Sequence, residues 1–163
     1  VLFETAKRLN KMVHVHVDQF NDPDQKDTEL LVKKTVEYGL QGRVVGIHGL
    51  SIAAQNKEYR QKLYSDMKEA DVMMVACPLV WIDSRRTEKM APTHNSLTPV
   101  DELIPAGIPV ALGTDNIADI YKPFGDGNMW DELHVLLEAS HYYEIDDLVE
   151  VATTNGLKAL GIK

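Results

Sequence analysis

Three apolar runs of this chain end in side chains that could bind a metal ion or move a proton. They are Val13-His14-Val15-His16-Val17-Asp18-Gln19, Val44-Val45-Gly46-Ile47-His48 and Val110-Ala111-Leu112-Gly113-Thr114-Asp115-Asn116. Strand alternation puts His14 and His16 on one face and Val15 and Val17 on the other. Two imidazoles and a carboxylate suit a borderline divalent ion such as zinc or ferrous iron. Such an ion lowers the pKa of bound water toward neutrality and so makes hydroxide available as a nucleophile. Each piece also has a plainer explanation. A lone histidine at a strand end is commonly just hydrogen-bonded, and Asp115 after Gly113-Thr114 suits a turn or a helix N-cap. His14-Val15-His16 could be a two-toothed clamp, but His14 lies one layer deeper than His16 and is expected to hydrogen-bond there. Cys77 ends a further apolar run beside Pro78; His48 is a conceivable base for it, and a buried structural thiol is the preferred reading. His94, His134 and His141 fall in a loop or on helices and receive no role.

These groups can meet only if the backbone gathers the strand ends. Short apolar runs alternate with longer amphipathic segments along the chain. The pattern predicts a helix over 1–10, a strand over Met12–Val17 and a helix over 25–38, with Gly39 at the C-cap. Next come a strand over Arg43–His48, a helix at about 57–69 and a nearly all-apolar strand over Asp71–Cys77. A loop over 78–96 carries Pro78 and Pro92 as breakers; it leads to a helix near 98–106 and a strand over Ile108–Leu112. Helices near 128–140 and 145–160 close the chain. Alternation of this kind without hairpin signals means βα units and a parallel sheet, either open and doubly wound or half of a (βα)8 barrel. In both architectures the C-terminal strand ends surround the active site. Gly46-Ile47-His48-Gly49-Leu50 matches neither a dinucleotide fingerprint nor a P-loop. With no internal repeat, low-complexity tract or linker, residues 1–163 read as a single domain or a domain fragment.

Composition narrows the function classes. The 163 residues carry 17 basic and 25 acidic side chains, a net charge of −8, and are 44% hydrophobic and 26% charged. That is globular and long enough for a real core. Scattered Lys and Arg in an acidic chain argue against binding nucleic acid. The single cysteine excludes an internal disulfide framework and fits a reducing cytoplasm. No apolar run approaches the ~18–20 residues needed to cross a bilayer, so no membrane role is expected. The opening Val1-Leu2-Phe3-Glu4 has no initiator Met and reads as a helix already under way, which suggests a fragment of a longer protein; a processed N-terminus is the alternative.

Val15-His16-Val17-Asp18-Gln19, Gly46-Ile47-His48-Gly49 and Gly113-Thr114-Asp115-Asn116 together resemble strands five, six and eight of the amidohydrolase superfamily, in its cytosine deaminase-like branch. Supporting matches are Ala76-Cys77-Pro78-Leu79-Val80, Leu97-Thr98-Pro99-Val100 and Pro123-Phe124-Gly125-Asp126-Gly127-Asn128-Met129, so the similarity runs from about residue 11 to 160. The resemblance implies the C-terminal half, strands 5–8, of a TIM-like (βα)8 metal-dependent hydrolase barrel. It implies that His16 and Asp115 ligate a divalent metal, zinc or iron, and that Asp115 also takes the proton of the bound water. His48 would position and polarise water or substrate, and Tyr121 would lie against the substrate. The reaction implied is attack of hydroxide on an sp² carbon of a nitrogen-rich ring, with loss of ammonia or an amine. No lysine stands at a strand end, so one metal ion is expected.

Two departures shape the expectation. Where cytosine deaminase has a proton-shuttling glutamate, this chain has Gln19, which can hydrogen-bond but cannot act as a general acid. Where a second aspartate usually reads the substrate, this chain has Asn116. Amino-pyrimidines, triazines or cyclic amides are therefore expected in preference to cytosine itself. An N-alkyl amino-triazine (isopropylammelide-type) hydrolase is one alternative. The other is a catalytically inert barrel half that only binds, because the His-x-His pair of the family's first strand has no counterpart here and the metal would be incompletely liganded. Half a barrel also leaves two unpaired edges, which calls for a homo-oligomer or a missing N-terminal half.

Overall fold

The computed structural model describes residues 1–81 and 97–162. Pro92, His94 and most of the expected 78–96 loop lie outside them. Among the described residues four parallel strands, β1 (Val13–Val17), β2 (Val44–His48), β3 (Val72–Ala76) and β4 (Val110–Leu112), form one sheet in the order β1-β2-β3-β4. Val13 lies opposite Val44, Val44 opposite Val72, and Met74 opposite Val110, so all the C-terminal strand ends emerge on the same side. A doubly wound sheet reverses its strand order at a switch point. Here sequence neighbours are spatial neighbours throughout, as along the wall of a (βα)8 barrel.

The helices are α1 (Leu2–Leu9), α2 (Asp27–Tyr38), α3 (Leu50–Ala54), α4 (Lys57–Glu69), α5 (Pro78–Trp81), α6 (Val100–Leu103), α7 (Met129–Ser140), α8 (Ile145–Ala152) and α9 (Thr154–Ala159). One sheet face packs against α2, α4, α6, α7 and α8. Val13, Val17, Val44, Val72, Met74, Val110 and Leu112 meet Leu31, Leu63, Met67, Leu103, Leu136 and Val151 in a continuous core. Gly46 allows the close approach of these layers, since a Cβ there would lie 2.9 Å from Met74 Sδ and 3.2 Å from Leu31 Cδ2. The opposite face is covered differently along its length. At the N-terminal end Val45, Met73 and Ala111 pack with Ala159 of α9. Asn155 Nδ2 donates to the Val110 carbonyl at 2.9 Å and pins α9 there. Toward the C-terminal ends the same face leaves His16 exposed.

Several elements differ from the sequence pattern. The helix expected near 98–106 is only α6, because Pro105 and the left-handed Gly107 (φ 82°) turn the chain into β4. The long C-terminal helix is broken at Thr153 (φ −133°, ψ −88°) into α8 and α9. The short helix α3, which no periodicity announced, is anchored from outside: the Leu50 and Ser51 N–H groups donate to the Asp18 carbonyl at 2.8 and 3.3 Å. Proline suits a first helical turn, and α5 begins at Pro78 within the expected loop. No helix among the described residues is long and apolar enough to cross a membrane.

Candidate metal centre

The polar strand ends converge. Nδ1 of His16 and Nε2 of His48 are 2.8 Å apart, one ring nitrogen donating to the other, with the ring centroids 4.8 Å apart. His48 Nε2 is 3.6 Å from Asp115 Oδ2. One ligand atom from each of the three residues can be chosen so that all lie within 4.8 Å of one another. Two bonds of ~2.0–2.1 Å at a tetrahedral angle would hold imidazole nitrogens ~3.3 Å apart. The observed spacing needs to open by only about half an ångström to meet that, so the donor set fits a single ion of zinc or iron type.

The backbone, more than strand alternation, makes this meeting possible. His48 has the parity of Val44 and Gly46, whose positions face the helices, so a continued strand would bury its ring in the hydrophobic layer. Instead His48 adopts φ 83°, and its ring turns toward His16. Asp18 (φ 51°), directly after β1, and Asp115 (φ 57°), three residues after β4, also leave the extended region. A positive φ at a residue other than glycine is uncommon and concentrates where function requires it. His48 is fully buried, His16 is exposed and the Asp115 side chain is 25% exposed, so the site opens to solvent on one side. Burial pushes His48 down to about 4, His16 adding to the effect and Asp115 opposing it. His48 is therefore neutral near pH 7, the state in which an imidazole can ligate.

Asp18 stands in the sequence as one member of the Val15-His16-Val17-Asp18-Gln19 run, yet it organises the end of β1. It is buried, its Oδ1 accepts from the Asp27 N–H at 2.7 Å and its Oδ2 from the Thr28 N–H at 3.1 Å, so it caps α2. Its carbonyl meanwhile anchors α3. An N-cap normally precedes its helix directly, and one that reaches across nine residues leaves no local signal.

Among the other candidates, Gln19 follows directly and is half-buried. The Asn116 amide donates to Asp119, whose Oδ1 accepts from the Tyr121 and Lys122 N–H groups, each at 2.8 Å. This turn leaves Tyr121 79% exposed. A cavity of about 110 Å³ opens beside Asn116, lined in part by Thr114, Lys122, Asn128 and Glu132. His14 Nε2 lies 2.8 Å from the Ala159 carbonyl, the deeper hydrogen bond expected of it. Cys77 is buried, and burial first, then the carboxylates of Asp115 and Glu132, push its thiol up and leave it un-ionised. His134 lies on α7 and His141 is its C-cap.

The model of the family described as "Amidohydrolase family" matches residues 1–163, the whole chain. The chain belongs to that family. It is 59% identical over 105 residues, 64% of the chain, to an uncharacterized protein of Haemophilus influenzae, of which the match covers 38%. It is 26% identical over 99% of its length to the N-isopropylammelide isopropyl amidohydrolase of a Pseudomonas species, again covering 38% of that protein. A crystal structure of 5-methylcytosine deaminase from Klebsiella pneumoniae with 5-fluorocytosine superposes with a TM-score of 0.89 at 28% identity, over 98% of this chain and 39% of that one. This amidohydrolase chain thus spans well under half the length of the relatives it matches, and its four-stranded sheet corresponds to part of a TIM-barrel amidohydrolase.

Proposed function

We propose that the protein containing this chain is a metal-dependent hydrolase of non-peptide carbon–nitrogen bonds, acting in the cytoplasm on a small nitrogen-rich ring or cyclic amide. The observation that carries this reading is the convergence of His16, His48 and Asp115 within 4.8 Å at the C-terminal strand ends. His16 and Asp115 would hold one zinc or iron ion, which when bound would supply the Lewis acidity that makes water nucleophilic near neutral pH. Asp115 accepts the proton of the attacking water and delivers it to the leaving nitrogen. The new C–O bond replaces the C–N bond, and ammonia or an amine departs. Neutral His48 polarises the reacting carbon's substituent, while Gln19, Asn116 and Tyr121 contact the ring. Any further metal ligands, and the strands that flank the outer strands β1 and β4, come from another segment of the protein or from a second copy.

Gln19 supports a second reading, hydrolysis of an N-alkyl amino-triazine, because an amide can hold such a ring without protonating it. The match to N-isopropylammelide isopropyl amidohydrolase over 99% of the chain points the same way. The test is elemental mass spectrometry of the complete gene product purified without chelator, followed by a hydrolytic screen of amino-pyrimidines and triazines. About one zinc or iron per chain, with turnover lost to chelation and restored by the ion, is expected. A metal-free protein without turnover would leave an inert binding domain. Gln19→Glu separates the substrates: faster cytosine turnover favours the deaminase, and an unchanged rate favours another substrate.

A further inference from the structure

Thr98 stands outside the metal cluster, just before α6, yet it touches the backbone on which the cluster depends. It is 2% exposed, and its hydroxyl donates to the carbonyl of His48. That carbonyl belongs to a residue at φ 83° followed by Gly49 at φ 69°, two consecutive left-handed positions where β2 ends. Continuing the strand at His48 would send the ring toward the layer in which Gly46 already approaches Leu31 and Met74. The left-handed turn therefore aims the imidazole, and a β-carbon-bearing residue holds such a turn only where its surroundings enforce it.

We infer that Thr98 is a positioning residue: its hydroxyl holds the His48 carbonyl in the left-handed turn that brings the imidazole to His16 and Asp115. The inference deepens the metal-centre reading given above and rests on it. Thr98 is itself held in place. Glu102 of α6 receives a two-pronged contact from Arg60 of α4, Nε to Oε2 at 2.8 Å and Nη2 to Oε1 at 2.7 Å. The Tyr64 hydroxyl donates to the same carboxylate at 2.7 Å. The Val100 N–H donates to the Thr98 carbonyl at 2.7 Å, which joins Thr98 to the start of α6. The outer helix α4 thus fixes α6, α6 fixes Thr98, and Thr98 fixes the turn at His48.

The experiment compares wild type, Thr98→Val and Thr98→Ser in the complete gene product. Histidine ring-nitrogen NMR of the metal-free protein reports the His16–His48 contact, and zinc is titrated against a chromophoric chelator. Thr98→Val, near-isosteric but without the donor, is expected to lose the ring contact and to bind zinc about 10- to 100-fold more weakly, the usual cost of removing a group that orients a ligand. Thr98→Ser, which keeps the hydroxyl, is expected to restore both. If Thr98→Val does not fold, Thr98→Ala carries the same comparison without the bulk of a second methyl. A folded variant lacking the hydroxyl that keeps the ring contact and wild-type zinc affinity overturns the inference, as does failure of Thr98→Ser to rescue. Should wild type bind no zinc, the metal reading fails, while the ring-nitrogen signals still decide for or against Thr98.

Discussion

Two polar clusters are linked through α6 and the Thr98 that precedes it, and their chemistry is opposite. Between α4 and α6, Arg60, Tyr64 and Glu102 satisfy one another: a guanidinium faces a carboxylate in matched geometry, and a hydroxyl donates to the same acceptor. Arg60 is the main cause that holds the Glu102 carboxyl below its usual range. At the strand ends, His16, His48 and Asp115 crowd acceptors and ring nitrogens together. There burial is the main cause that pushes His48 down to about 4. The first cluster stabilises its charges, and the second disfavours a proton on its buried imidazole. A polar group completed by its own members is a brace, whereas two imidazoles converging on a carboxylate at an open strand end suit a cation. Backbone conformation separates them as well. Arg60, Tyr64 and Glu102 lie on regular helices, but His48 and Asp115 sit at positive φ.

The largest expected difference is in catalysis. In the complete protein, Asp115→Asn should lower turnover by ~10²–10⁴-fold, the range of general acid–base contributions, with an unchanged circular dichroism spectrum. Glu102→Gln keeps an acceptor oxygen for Arg60 and Tyr64, so α6 stays in place and most of the turnover should remain; equal losses from the two variants would erase the distinction.

Next in size is a pH effect on the metal-free protein. An unfolded His48 takes up a proton near 6.5, whereas the folded one does so only near 4. The unfolded state binds more protons between those values, so stability is fully present above about 6.5 and falls as the pH drops toward 4. By linkage the loss is about 3 kcal/mol. Urea midpoints at several pH values measure it, and a flat profile across that window would put His48 back in the ordinary range.

The smallest effect belongs to the brace. Glu102→Gln should cost about 1–2 kcal/mol in urea unfolding, since hydrogen bonds to charged groups contribute at this level and the side chain is partly exposed. The folded pKa of Glu102 is depressed below 4.5, so its contribution is present above that value and lost as the pH falls further. The gap between wild type and Glu102→Gln should therefore close in acid. A gap that stays open once the carboxyl is protonated in acid would show that packing, not charge, holds α4 to α6.

Much of the scaffold could be read from local pattern. The β-branched runs located all four strands to within two residues, and the amphipathic spacing of 57–69 coincides with α4. His16, His48 and Asp115 could be named because each closes an apolar run, a position the βα architecture places at one end of the sheet. The misses share a cause. The helix α3 is nucleated by the Asp18 carbonyl, α2 is capped from nine residues away, and Thr153 breaks a helix whose side-chain pattern continues through it. None of these contacts leaves a trace in a window of neighbouring residues.

The sequence by itself determined the alternation of strand and helix, the apolar face of each strand and the identity of the possible ligands, since these follow from side-chain type and period. Only the tertiary structure decided that the strands follow one another without reversal, and that His48 turns against its strand parity to meet His16. Periodicity is set by bonds along the chain. The direction of a ring at a strand end is set instead by a backbone torsion that groups fifty residues away, here the Thr98 hydroxyl, hold in place.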